Sequence, residues 1–384
     1  MPAQGDTLIE PVPTTDEGHA FMRNHTTMPV STTGPTFARR ALAAAAIVAS
    51  GALALAGCSA PGAADAAASA DAGSAPTPVS FALDWAPNTN HIGVFVADEL
   101  GYFEDAGIDV EILPYGSASA MQLVSAGEAD FSIGGQSSVQ MARTSGLDVK
   151  SVYSITQTDT GRLVVLGDRD DITRPNDLDG LTFGGFGAPL YTALAKGTIT
   201  GDGGAGDFEE VVLDTGAYEA LSQGRIDFTL SVATWENLQT EIDGHPYRAF
   251  KYQDFGVPDQ QSTGIVSSEA YLDENPEAAE AFVQAVARGY QYAADNPAEA
   301  ADLLIAANPD TLGTAQELVK RSTALMADEG FLVSQDRPIG APNPEAWNEF
   351  GAFLFGQGFL VDAEGKPLTA EPDWSEYYTA EFLG

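Results

Sequence analysis

The chain has 384 residues with 55 Asp plus Glu against 17 Lys plus Arg, a formal net charge of −38 at pH 7. A surface this acidic repels phosphate backbones and anionic lipid, so nucleic-acid binding is set aside. Hydrophobic residues make up 44%, normal for a globular protein, so the charge is read as solubility in a salty or extracellular setting.

Residues 1–38 are polar and lack hydrophobic periodicity. Arg39 and Arg40 then precede an apolar run, 41–57, that ends Leu55-Ala56-Gly57 before Cys58. Basic residues, a short apolar stretch and small residues at its end make a secretory signal, too short to span a membrane. The cysteine after Leu-Ala-Gly resembles a bacterial lipobox, which implies cleavage before Cys58 and a lipid on its sulfur. Cys58 is the only cysteine in the chain, so no internal disulfide is possible and acylation gives it a purpose. The basic pair comes late, which leaves Met22 or Met28 open as the true start, and it leaves a twin-arginine export route open beside the general one. Residues 59–78 are mostly Ala, Gly, Ser, Pro and Asp, a flexible tether. No later segment approaches membrane-spanning length.

Beyond the tether lie roughly 305 residues, enough for two core-forming lobes. Residues 79–84 read as a strand and lead into Asp84-Trp85-Ala86-Pro87-Asn88-Thr89-Asn90-His91. A flat aromatic face and several amides at a strand tip suit a small, flat, polar heterocycle. A strand-end turn around a half-buried Trp is the alternative that these residues leave open. Residues 92–100 have helical spacing and stop at Gly101. Residues 108–114 alternate as a strand, 117–125 read as a helix, and 129–134 as another strand. This alternation predicts α/β lobes, each a mainly parallel sheet flanked by helices.

The stretch Ser125-Ala126-Gly127-Glu128-Ala129-Asp130-Phe131 is echoed by Ser222-Gln223-Gly224-Arg225-Ile226-Asp227-Phe228. Each follows an amphipathic helix and leads into an apolar strand, as two lobes on one local plan would require. Residues 155–167 and 255–266 read as crossovers between the lobes, the first rich in turn residues next to a strand at 163–166. Asn275-Pro276 and Asn296-Pro297 read as helix starts. Trp347 and Trp374, in the tail, are assigned to packing of the first lobe. The expected division is a signal peptide at 1–57, a lipidated Cys and tether at 58–78, lobe 1 at 79–160 and 266–384, and lobe 2 at 161–265.

Four segments together resemble the NMT1/THI5-like group of extracytoplasmic solute-binding proteins of ATP-driven importers. They are the 83–91 strand tip, Glu99-Leu100-Gly101-Tyr102-Phe103-Glu104-Asp105-Ala106-Gly107-Ile108, Gly127-Glu128-Ala129-Asp130-Phe131 and Thr234-Trp235-Glu236-Asn237. The second and third also occur in sulfonate and nitrate binders, so they specify fold. The first resembles the branch that binds pyrimidine precursors of thiamine. The resemblance implies a type II periplasmic-binding-protein fold, a pyrimidine ligand, ABC permease and ATPase subunits as partners, and a monomer at the membrane surface.

For an aminopyrimidine the chemistry assigns Trp85 to the ring face and Glu236 to the amine and a protonated ring nitrogen. Asn88, Asn90 and His91 are rim candidates, His91 equally a capping residue. Tyr191 is a candidate wall, and Trp235 neighbours Glu236. Ser117 and Ser119 open a helix, and Gln136 and Ser137 follow a strand tip, as further contacts. A fungal enzyme branch shares the fold and needs a Lys, a donor His and a cysteine-rich iron segment; Asp130-Phe131-Ser132-Ile133-Gly134-Gly135-Gln136-Ser137-Ser138 offers neither Lys nor His. A binder without cofactor or metal is therefore expected. A flavin precursor, a small sulfonate, or a sensing role remain as alternatives.

Overall fold

Val79 and Phe81 are buried while Ser80 between them is only half so, the alternation that makes Thr77–Ala82 a strand (β1) with one face on a core. The computed structural model of the chain describes residues 75–384, which lie within one compact unit, Asp71–Gly384. The signal sequence and Cys58 lie outside the described residues. Strand β1 starts two residues ahead of the expected Val79, because Thr77 and Pro78 already pair with Ile108 and Asp109.

The remaining strands are β2 (Ile108–Leu113), β3 (Phe131–Ile133), β4 (Lys150–Ser154), β5 (Gly161–Leu166), β6 (Thr182–Gly185), β7 (Glu209–Val212), β8 (Phe228–Val232), β9 (Tyr247–Lys251) and β10 (Gly264–Ser267). They form two five-stranded sheets, ordered β2-β1-β3-β10-β4 and β7-β6-β8-β5-β9. The helices are α1 (Ile92–Glu99), α2 (Tyr102–Asp105), α3 (Ala120–Ser125), α4 (Gln136–Thr144), α5 (Pro189–Gly201), α6 (Gly216–Ser222), α7 (Glu236–Ile242), α8 (Glu269–Glu274), α9 (Pro276–Asp295), α10 (Pro297–Ala307), α11 (Pro309–Leu312), α12 (Gln316–Asp328) and α13 (Pro344–Gly356). Among the described residues no helix is long and apolar enough to cross a membrane.

Each sheet departs from the parallel expectation at one strand. Strand β10 is antiparallel to β3 and β4, and β5 is antiparallel to β8 and β9. These are the strands that the chain forms on arriving from the opposite sheet, through 155–160 and 252–263. An arrival from the other sheet needs no returning α-helix across its own, so it is free to pair antiparallel. Helix α3 is shorter than expected: Ser119 sits at its N-cap without a side-chain bond, and Ser117 is exposed in the turn ahead of it.

The sequence echo corresponds to one repeated device. Gly127 and Gly224 take φ of 70° and 66°, where a Cβ is penalised, so glycine ends both helices. The next N–H closes each end, Glu128 onto the Leu123 carbonyl at 2.8 Å and Arg225 onto the Ala220 carbonyl at 2.9 Å. The aspartate three residues on then staples a neighbouring strand. Asp130 accepts from the Ser80 N–H at 2.7 Å and the Ser80 hydroxyl at 2.8 Å, and Asp227 accepts from the Thr182 N–H at 2.9 Å. Asp130→Ala leaves a half-buried strand N–H without its carboxylate, so a loss of roughly 1.5–3 kcal/mol is expected. A urea midpoint equal to wild type would remove Asp130 from this role.

The first-lobe core centres on Phe282 of α9, stacked on Phe131 at 4.2 Å between centroids and on Phe103 at 5.7 Å. The tail is pinned to α4: Gln136 Nε2 donates to the Ala346 carbonyl and Gln140 Nε2 to the Trp347 carbonyl, both at 2.8 Å. Trp347 and Trp374 are both buried there.

Candidate functional site

The two crossovers run between the sheets; residues of both line an inner cavity, and an outer cavity adjoins it. Asn90, Tyr191 and Val232 line both. The inner cavity is about 270 Å³ and is lined by Ser137, Asp159, Phe186, Tyr218, Tyr252 and Gln260 among others. The outer is about 510 Å³ and brings Trp85, Asn88 and Asn90 of the β1–α1 turn opposite Trp235 and Glu236 at the start of α7.

The β1–α1 turn is held by its own side chains. Asn88 Oδ1 accepts from the Asn90 N–H at 2.8 Å, and Asn88 Nδ2 donates to the Ala86 carbonyl at 3.0 Å. His91 is fully buried. Its Nδ1 accepts from the Asn88 N–H at 3.3 Å, so Nε2 carries the hydrogen that faces Asp84 Oδ1 at 3.0 Å. Of the two roles open to His91, the geometry gives the capping one: both ring nitrogens are used in shaping the turn. Tyr290 OH donates to the Asn90 carbonyl, which ties the turn to α9. Asn90 Oδ1, in contrast, is buried without a partner.

Trp85 is 50% exposed on the wall of the outer cavity, its ring 5.1 Å from that of Tyr115. A large aromatic left half in water offers a face for a planar ligand. From the other lobe, Glu236 Oε2 accepts from the Val232 N–H at 2.9 Å. Burial pushes its pKa above the usual carboxylate range, against the lowering effect of that bond. Trp235 packs partly on the first-lobe core, so the start of α7 touches both lobes. Tyr191 is 37% exposed, with Phe186 5.5 Å away, and Phe186 lies 5.9 Å from Tyr218. These rings wall the inner cavity.

Three of the residues singled out in the sequence are placed elsewhere. Ser117 borders neither cavity. Gln136 is buried and spends its amide on protein, donating to Ala346 and accepting from the Gln261 N–H at 3.0 Å. His91 is enclosed by the turn. The sequence reading missed Asp159, Tyr218, Tyr252 and Gln260. Asp159 falls among the turn residues of the 155–167 crossover; the usable signal is topological, since segments that join two lobes floor the cleft between them. Among the described residues no group of three or more His, Cys, Asp or Glu is arranged to hold a metal ion.

Two α/β lobes with this strand order, joined by two crossovers beside a lined cleft, define the type II periplasmic-binding-protein fold. The alkanesulfonate-binding protein SsuA of Xanthomonas axonopodis pv. citri superposes with a TM-score of 0.59, covering 80% of this chain and 100% of that one at 13% identity. The chain belongs to the NMT1/THI5-like family, whose sequence model matches residues 88–300. It is 31% identical over 306 residues to the formylaminopyrimidine-binding protein of Halalkalibacterium halodurans, covering 77% of this chain and 89% of that protein. The riboflavin-binding protein RibY of Chloroflexus aurantiacus is 26% identical over 319 residues, 79% of this chain and 86% of RibY. The 4-amino-5-hydroxymethyl-2-methylpyrimidine phosphate synthase THI13 of Saccharomyces cerevisiae is 24% identical over a shorter 237 residues, 58% of this chain and 68% of the synthase.

Proposed function

We propose that this chain is the substrate-binding protein of an ATP-driven importer and captures a thiamine pyrimidine precursor of the formylaminopyrimidine or hydroxymethylpyrimidine type. The observation that carries the reading is the outer cavity, where Trp85, Asn88 and Asn90 meet Trp235 and Glu236 across the cleft. An aminopyrimidine presents a flat face to Trp85 and an amine beside a basic ring nitrogen to Glu236, two in-plane hydrogen bonds to one carboxylate. The 31% identity to a formylaminopyrimidine-binding protein supports the same ligand class. Contacts on both lobes favour the closed form, and the closed form is what a permease and its ATPase would receive. A lipid on Cys58 would hold the protein on the outer face of the cell membrane. The binder reading is preferred to the synthase one because the residues after β3, Gly134-Gly135-Gln136-Ser137-Ser138, supply no Lys or His for cofactor chemistry.

Calorimetric titration of the full-length protein with the formylamino and hydroxymethyl pyrimidines tests this, with riboflavin as the competing ligand. Micromolar or tighter binding of a pyrimidine is expected, weakened about tenfold or more in Trp85→Ala, where a stacked face is lost from a side chain that the fold leaves half exposed. Heat with riboflavin alone would move the assignment to flavins; heat with none of the three would leave only the fold.

A further inference from the structure

We infer that the inner cavity is a cation-selecting subsite built on Asp159. This rests on the cleft being a small-molecule site, though not on the ligand being a pyrimidine. Asp159 lies on the first crossover, is 3% exposed and lines the cavity. Its Oδ1 accepts from the Gly161 N–H and its Oδ2 from Gln260 Nε2, each at 2.7 Å. Both donors are neutral, and each oxygen keeps a further lone pair.

Among the described residues, Asp159 forms no ion pair with any Lys, Arg or His. Arg162, on the same segment, turns its Nη1 to the backbone carbonyls of Asp159 and Gly161, at 3.1 and 2.7 Å. Asp259 of the second crossover stands behind as a second carboxylate, accepting from the Asp159 N–H at 2.9 Å. Burial, with Asp259 adding to it, holds the Asp159 pKa above the ordinary range despite the two hydrogen bonds and Arg162. The rings of Phe186, Tyr191, Tyr218 and Tyr252 form part of the remaining wall, together with aliphatic side chains and several hydroxyl groups.

A buried carboxylate without a cationic partner is costly, and a ligand that brings positive charge and N–H groups removes that cost. Aromatic rings in the same lining favour the same ligand through their quadrupoles. The class selected is a small flat nitrogen cation, an amidinium or a protonated amino-heterocycle, of a size suited to about 270 Å³.

The test uses benzamidine and its neutral isostere benzamide, titrated into the full-length protein and its Asp159→Asn variant. Wild type is expected to bind benzamidine about tenfold or more tightly than benzamide, and the variant to lose that preference. The substitution suits the fold: Asn Oδ1 keeps the Gly161 bond, and Gln260, whose Oε1 has no partner, can turn its amide to accept from the new NH₂. An unchanged melting temperature checks this. Equal binding of the two probes to wild type, or no binding of either, overturns the inference without recourse to any variant. A preference that survives Asp159→Asn overturns the role of Asp159. Benzamidine preference without heat from any pyrimidine would keep the subsite and sink the pyrimidine reading; pyrimidine binding without the preference would do the reverse.

Discussion

Gly289→Ala is expected to lower the melting temperature by several degrees and to weaken ligand binding with it. Helices α1 and α9 approach closely where Gly289 faces the Gly93 carbonyl, and the Tyr290 ring packs on the Cα of Gly93. A Cβ at position 289 would lie 1.9 Å from the Gly93 carbonyl oxygen and 2.9 Å from its carbon. The obstacle is backbone, so no rotamer change relieves it and the helices must separate. Two effects oppose each other. Alanine gains about 1 kcal/mol over glycine in a helix interior, whereas overpacking a closed contact costs up to about 3 kcal/mol, and more where backbone must move. Overpacking wins, and each kcal/mol lost moves the midpoint by roughly 1.5–2 °C in a folded body of this size. The effect reaches the site because α1 follows His91 directly, and Tyr290, beside Gly289, donates to the Asn90 carbonyl. Thermal unfolding and a ligand titration of the same sample check both parts. A variant that melts with wild type would show that the crossing has slack.

How much of this was legible in the sequence depended on how local the determining contact is. The Gly127 and Gly224 helix ends were visible as a repeat, because each closes within five residues of its own segment; the partners of Asp130 and Asp227, Ser80 and Thr182, lie some 50 and 45 residues away and were not. The β1–α1 turn was visible as a motif for the same reason: Asn88, Asn90 and His91 bond mainly to each other. What the motif did not reveal is the direction in which each polar group points. His91 reads as a ligand residue until Asp84 and the Asn88 N–H are seen to occupy its ring, and Gln136 does so until Ala346 and Gln261, more than a hundred residues away, are seen to take its amide. Asp159 is the converse case. In the sequence it is one turn residue among Thr156, Thr158 and Thr160, and only the pairing of two crossovers puts it on the floor of a cavity. The antiparallel strands β5 and β10 were hidden likewise, since direction is set by where the chain comes from and hydrophobic pattern carries no record of it.

Glu236→Gln is expected to weaken pyrimidine binding about tenfold or more while making the ligand-free protein more stable at neutral pH. The binding half follows from charge. A hydrogen bond to an ionised group is worth about 1.5–3 kcal/mol, and the amide keeps the shape while losing the charge and one acceptor. The fold is spared, since the Gln carbonyl can still accept from the Val232 N–H that Glu236 Oε2 now holds at 2.9 Å. The stability half follows from linkage. Burial raises the Glu236 pKa in the folded state, so between the unfolded and folded values the folded protein binds more protons than the unfolded chain. Stability then falls as pH rises through that window, and above it the folded state carries the full cost of a buried charge. Replacing the carboxylate by a neutral amide removes that cost. Its gain should vanish below the ordinary carboxylate range, where Glu236 is protonated in both states. The two halves separate a ligand-directed carboxylate from a structural one: a residue kept for the fold would lose stability with its charge. Melting curves at neutral and acidic pH, set beside titrations with the formylamino pyrimidine, read both. A less stable variant with unchanged affinity would take Glu236 out of the site and leave it as a structural tie between α7 and the Val232 N–H.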